Sequence, residues 1–272
     1  MRLLTNARIY TLDRSRPTAS VLVINRERVL AVGGAELLSE FDSLEKQDMG
    51  GRTILPGLVD SHLHLMHTAL GLLRVDCETS TKEECLRRVA RHVHNVKPGE
   101  WVRGHGWNQN DWGGAWPTAA ALDAIAPDTP VFLTAKSLHA AWANTKALQL
   151  AGVDAGTPDP PGGRYLREER GCLTGILLES AYTRLQAAIP DPPLENIVRA
   201  FQTIQPWLWQ MGLTGVHDFD PLLSFQALQI LDGRAELRLR VLKTIPVDSL
   251  DEAVALHLRT GYGNDRLRLD RR

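Results

Sequence analysis

"TILPGLVDSHLHL", residues 53–65, decides how the rest of the chain is read. Pro56-Gly57 breaks the chain, Leu58 and Val59 open an apolar run, and His62 and His64 follow one residue apart. In a strand, residues i and i+2 point to the same face. On that reading the two imidazoles stand side by side at a strand's C-terminal end and suit a shared cation. Asp60 falls on the same face and is placed to orient a ring as an outer carboxylate. The alternative is a pair of histidines that cap the strand and hydrogen-bond locally. A catalytic metal needs three or more protein ligands and an open position, so partners are sought elsewhere in the chain.

Ahead of this stretch, residues 1–55 read as a small β unit. "ASVLVINRERVLAVGG" is two β-branched runs around "NRER", a hairpin pattern, and "AELLSEF" supplies one or two helical turns. So few strands do not stand alone comfortably. Behind it, strand and helix patterns alternate. "TKEECLRRVARHVHNV" has Cys85, Leu86, Val89 and Val93 on one helical face and a Thr81–Glu84 capping box. "VFLTAKS" reads as a strand, "NTKALQLAG" as a helix, and "GTPDPPGGRYLREERGCLTG" as a long Pro/Gly-rich loop. "LENIVRAFQTIQPWLWQMG" is helical despite Pro206. "LTGVHDFD" and "LRLRVLKTI" are strands, and Ser249–Glu252 has the form of a second capping box. Such alternation implies βαβ units, a parallel sheet and an α/β fold. A barrel of this kind carries its chemistry at the C-terminal ends of its strands, where His62, His64, His217 and Asp218 all fall.

Further candidates are spread along the chain. Glu179, in "TGILLES", is placed to be a metal ligand, a bridge or a salt-bridge partner. His105, His139 and His217 are, with Glu179, candidates for the further metal ligands; His139, in "SLHAAWANTKAL", lies between a strand and a helix and is also placed to touch a substrate. His217 is a candidate for substrate binding, but with Asp218 it forms no dyad, because neighbours on a strand face opposite ways. "GHGWNQNDWGGAWP" offers Trp107 and Trp112 as a substrate wall, or as a local hydrophobic plug. His92, His94 and His257 read as helix surface, and His67 as part of the turn after the strand.

The bulk properties narrow the classes. The chain has 272 residues, 43% of them hydrophobic and 23% charged, with a net charge of −1. That balance leaves no basic footprint for nucleic acid. The N-terminus lacks a signal-peptide core and no apolar run reaches membrane length, so a cytoplasmic protein without membrane contact is expected. Cys77, Cys85 and Cys172 have no CxxC spacing and read as incidental thiols. There is no P-loop and no GxGxxG behind a strand.

"TILPGLVDSHLHL" resembles the first barrel strand of the metal-dependent amidohydrolase superfamily. "GHGWNQNDWGGAWPTAAALDAIAPDTPVFLTAKSLHAAWANTKALQLAGV", "TPDPPGGRYLREERGCLTGILLESA" and "GLTGVHDF" resemble its family 3 branch, which includes N-substituted formamide deformylase-like and exoenzyme-regulatory-like proteins. The resemblance runs in order along essentially the whole chain. It implies a (β/α)8 TIM-type barrel preceded by part of a small β-sandwich. Residues 1–55 would be the N-terminal half of that sandwich and 56–272 an N-terminal portion of the barrel. It further implies hydrolysis of a non-peptide, amide-like carbon–nitrogen bond in a small molecule through a metal-activated water. One or two divalent ions, zinc foremost, would sit on His62 and His64, with Glu179 or a later carboxylated lysine as a further ligand. Family members are much longer and continue with a lysine-bearing strand, more histidine ligands and a general-base aspartate. The basic end "LRLDRR" does not continue the strand pattern. This chain is therefore expected to be an N-terminal portion, completed by a second chain that supplies the later strands, or a homodimer. The competing expectation is a truncated remnant or pseudoenzyme that at most binds metal.

Overall fold

A computed structural model describes residues 1–97 and 99–270; Pro98, and Arg271 and Arg272 of the basic end, lie outside the described residues. The fold is α/β. The chain forms two compact units, one made of Met1–Leu63, Gln205–Phe219 and Asp232–Arg272, the other of His64–Ile204 and Asp220–Leu231.

The first unit opens with β1 (Arg2–Thr5), β2 (Arg8–Tyr10), β3 (Thr18–Ala19), β4 (Val21–Asn25) and β5 (Arg28–Gly33). Helix α1 (Glu36–Glu40), β6 (Glu45–Asp48), β7 (Thr53–Ile54) and β8 (Leu58–Leu63) follow. The expected hairpin is present: β4 and β5 pair antiparallel, with Asn25 opposite Arg28. Two sheets result, in the orders β5-β4-β1-β6 and β3-β2-β7. Leu3, Val21, Val23 and Leu37 form one buried cluster, and Ala7, Ile9 and Leu22 another. The sequence reading missed β6, whose four polar residues are all exposed.

In the second unit come α2 (Leu65–Leu72), β9 (Val75–Asp76), α3 (Lys82–Val93), β10 (Val102–Trp107), α4 (Ala119–Asp123), β11 (Val131–Ala135) and β12 (Ala140–Ala143). They are followed by α5 (Thr145–Leu150), β13 (Gly163–Arg167), β14 (Leu173–Glu179) and α6 (Thr183–Ala188). Thr81 caps α3 by accepting the Glu84 amide at 3.2 Å, and Cys85 and Val89 are fully buried. These strands make one six-stranded sheet, β13-β14-β12-β11-β10-β9. It is mixed: β9, β10 and β11 are parallel, whereas β12, β14 and β13 are antiparallel to their neighbours. Two expectations are corrected here. Much of the Pro/Gly-rich stretch is the β13–β14 hairpin, and β12 separates His139 from the helix thought to follow it. Asp159 fixes the approach to the hairpin by accepting the Tyr165 amide at 3.0 Å and pairing with Arg167 at 2.9 Å.

Helix α7 (Leu194–Gln210), β15 (Leu213–Asp218), α8 (Leu222–Gly233), β16 (Arg240–Lys243), α9 (Leu250–Ala255) and β17 (Leu267–Leu269) complete the chain. In the first unit β17, β16, β15 and β8 form an all-parallel sheet. The basic end thus does contribute a strand, with Leu267 and Leu269 buried. The capping box expected at Ser249 is absent, since its side chain makes no cap bond and α9 has six residues. Among the described residues no helix is long and apolar enough to cross a membrane.

Candidate functional site

His62 lies near the end of β8, and Asp60 Oδ1 accepts its backbone N–H at 2.9 Å. Asp60 therefore bonds the backbone rather than the ring it was expected to orient. The His62 ring stacks on Phe219, with centroids 4.1 Å apart and planes 14° from parallel. The strand ends at Leu63, and His64 is the N-cap of α2 with φ −96° and ψ 84°. The strand face that carries His62 therefore ends one residue short of His64.

His64 is held by a residue the sequence reading did not name. Its Nδ1 lies 3.2 Å from Oδ1 of Asp220, a carboxylate only 3% exposed. The other carboxylate oxygen accepts the amides of Met66 and, at 3.4 Å, His67. A helix N-terminus presents amides without intrahelical partners and a partial positive charge, and a carboxylate satisfies both. One side chain thus starts α2 and fixes the imidazole on its N-cap.

A second unforeseen arrangement lies in the first unit. Lys243 Nζ is 3.3 Å from Asp218 Oδ2, and both side chains are fully buried. The ammonium also donates to Thr244 O at 3.0 Å, and Thr244 Oγ1 donates to Asp218 O at 3.1 Å. His217 is half-buried on the other side of β15, as strand alternation requires. It lines a groove of about 280 Å³ with Val59, Leu242, Arg240 and Arg268.

In the second unit His139 Nδ1 pairs with Glu179 Oε2 at 3.1 Å, both side chains largely exposed. Glu179 has φ 50° and ψ −128°, a conformation costly for a side-chain-bearing residue. Its N–H donates to His139 O at 2.9 Å, which fixes the pair at the head of the β12–β14 ladder. Among the described residues no three His, Cys, Asp or Glu side chains gather into a group able to hold a metal.

Trp107 is corrected from substrate wall to core. It is fully buried, and its indole N–H donates to Leu133 O at 2.8 Å. Trp112 is half-buried, donates to Thr79 O at 2.9 Å, and stacks on Trp107 with centroids 6.1 Å apart. Trp142 joins both edge-on. These residues realise the hydrophobic-plug alternative. His105 is exposed, with Nδ1 2.9 Å from Thr134 Oγ1; partial burial and then Arg74 lower its pKa. The neighbouring Cys85 and burial both push the Cys77 thiol far up, so it stays protonated and inert.

The Amidohydrolase family model matches residues 45–271. The chain is 32% identical over 273 residues to Protein LONG AFTER FAR-RED 3 of Arabidopsis thaliana, covering 95% of this chain and 47% of that protein. It is 34% identical over 231 residues to N-substituted formamide deformylase of Arthrobacter pascens, covering 79% and 42%. An uncharacterized metal-dependent hydrolase from Pyrococcus furiosus superposes with a TM-score of 0.78 at 29% identity, over 98% of this chain and 54% of that one. The chain spans about half the length of the curated relatives it matches. With a family match over most of its length, the chain belongs to the amidohydrolase family.

Proposed function

We propose that this chain acts in metal-dependent hydrolysis of a carbon–nitrogen bond in a small, amide-like molecule, with zinc as the favoured ion. The observation that carries the reading is the buried Asp220 carboxylate on Nδ1 of His64. A histidine that donates one ring N–H to a carboxylate presents its other nitrogen as the lone-pair donor, the form a metal takes, with raised basicity. The donor set therefore fits a divalent ion, and His62 and His64 are the residues that would hold it. A bound ion would supply an activated water and polarise the scissile carbonyl. The protein's own residues do the rest. Asp220 fixes the His64 tautomer, Phe219 holds the His62 ring by stacking, and the groove at His217 is large enough for a small acyl or amine fragment. Glu179 is read as the partner of His139 on the substrate side.

The parallel sheet β8-β15-β16-β17 supports reading this part of the chain as barrel strands, and the two small sheets at the start support a sandwich half. The Arthrobacter pascens relative is an N-substituted formamide deformylase, which makes N-substituted formamides the first substrates to try.

The test measures metal content of the purified chain by mass spectrometry, beside hydrolysis of N-benzylformamide. Near-stoichiometric zinc that is lost in the His62→Ala/His64→Ala variant is expected. Unchanged metal content in that variant would overturn the assignment. Metal without turnover would favour a binding-only protein.

A further inference from the structure

A cavity of about 550 Å³ in the second unit has no place in the chemistry above. The end of α2, the end of α3, the start of β10 and the segment after α6 line it, and it holds Arg74 and Arg103. The parallel register that sets Gly104 beside Val75 carries back one residue to Arg103 beside Arg74. Adjacent residues on parallel strands point the same way, so the two guanidiniums share one side. Both are half-buried, and among the described residues neither has a carboxylate within ion-pair distance. Arg74 Nε is buried and, among the described residues, has no hydrogen-bond partner.

That combination is costly. A buried donor without an acceptor is penalised, and two like charges withdrawn from water repel. Burial and then Arg103 push the Arg74 guanidinium down to about 10, and burial lowers Arg103 too. The rest of the lining selects the counter-ion. Leu70, Leu73, Val96, Trp101 and Ile189 make much of the wall apolar. Glu100 and Asp191 also line the cavity, and Glu100 Oε2 is occupied by the Lys97 amide at 3.1 Å. Two cations beside two anions favour a singly charged ligand over phosphate, and the apolar wall asks for a hydrocarbon group. Arginine forks match a planar carboxylate in geometry.

We propose that this cavity binds an organic monocarboxylate with a compact apolar group, its carboxylate between Arg74 and Arg103 and its apolar group against Leu70, Trp101 and Ile189. The site is independent of the histidine chemistry and does not rest on it.

The test is calorimetric titration of the 272-residue chain with benzoate, with benzyl alcohol as the neutral probe and inorganic phosphate as the probe without a hydrocarbon group. Saturable benzoate binding is expected, with both other probes weaker by on the order of tenfold or more. Arg103→Gln should weaken benzoate by a similar factor, and Arg103→Lys, which keeps the charge without the fork, should fall between. Circular dichroism checks that each variant folds. Ile189→Asp, on the segment after α6, supplies a second route, because a carboxylate built into the wall should compete with benzoate. No saturable benzoate binding, equal binding of benzyl alcohol or of phosphate, or affinity unchanged in folded Arg103→Gln or Ile189→Asp would each overturn the proposal.

Discussion

Lys243 and Asp218 form an ion pair at 3.3 Å with both side chains fully buried, one residue from each of two neighbouring parallel strands. Taking both charges out of water is expensive, and each helps to offset the burial of the other. Lys243→Met should therefore cost about 3–5 kcal/mol of unfolding free energy by removing the ammonium beside a buried carboxylate. Adding Asp218→Leu should recover much of that loss. Urea denaturation of the two variants checks both steps; a neutral single variant would refute the account.

Asp220 makes two kinds of contact, one to the His64 ring and one to the amides opening α2. Asp220→Asn keeps an acceptor for the amides but loses the negative charge behind the imidazole. Metal affinity should fall by roughly 10–100-fold while the fold survives. Competition against a chromophoric chelator measures the affinity. An unchanged value would reduce Asp220 to a helix cap.

Trp107 is buried, hydrogen-bonded and ringed by indoles, whereas Trp116 is 41% exposed. Trp107→Ala should cost about 3–5 kcal/mol, and Trp116→Ala much less. Thermal or urea unfolding separates them. Equal, small effects would make Trp107 a candidate substrate contact again.

His92 lines the arginine-bearing cavity, and burial lowers its pKa below the ordinary 6.5. In the unfolded chain it takes up a proton near 6.5, and in the folded chain only at lower pH. Between those two values the unfolded state binds more protons, so stability falls as pH drops from about 6.5 and levels off below the folded value. In His92→Gln this part of the acid loss should disappear. Denaturation midpoints of both proteins from pH 7 to 5 test it; parallel curves would count against the assignment.

Local signals were legible in the sequence where a short segment decides its own structure. The β4–β5 hairpin, the Thr81 cap of α3 and the long α7 with Pro206 inside it all follow from patterns a few residues wide. Errors arose where composition and packing disagree. Gly104 lies in the Trp-rich segment, where a Cβ would sit 2.6 Å from Leu133 and 2.7 Å from Cys77. The glycine allows close packing in a core strand, and Trp107 follows it into the interior. Likewise β12 is four small or aromatic residues with no alternation, because all four are buried. The partnership of His64 with Asp220, and of Lys243 with Asp218, depends on long-range topology. One sequence can display the HxH pair and the "HDFD" segment without saying that they meet their partners across the fold.

The parallel sheet of the first unit has a consequence during synthesis. Strand β8 lies against β15, with Val216 in register with Asp60, yet the whole of residues 64–204 comes between them in the chain. At ribosomal speeds of about 5–20 residues per second, the later strand emerges on the order of 10–30 s after the earlier one. Throughout that interval Leu58 and Val59 belong to a nascent segment whose neighbour does not yet exist. The intervening unit can build its own six-stranded sheet while β8 waits. The vulnerable species in the cell is therefore a nascent chain halted between residues 63 and 213, a stage at which chaperone capture should be strongest.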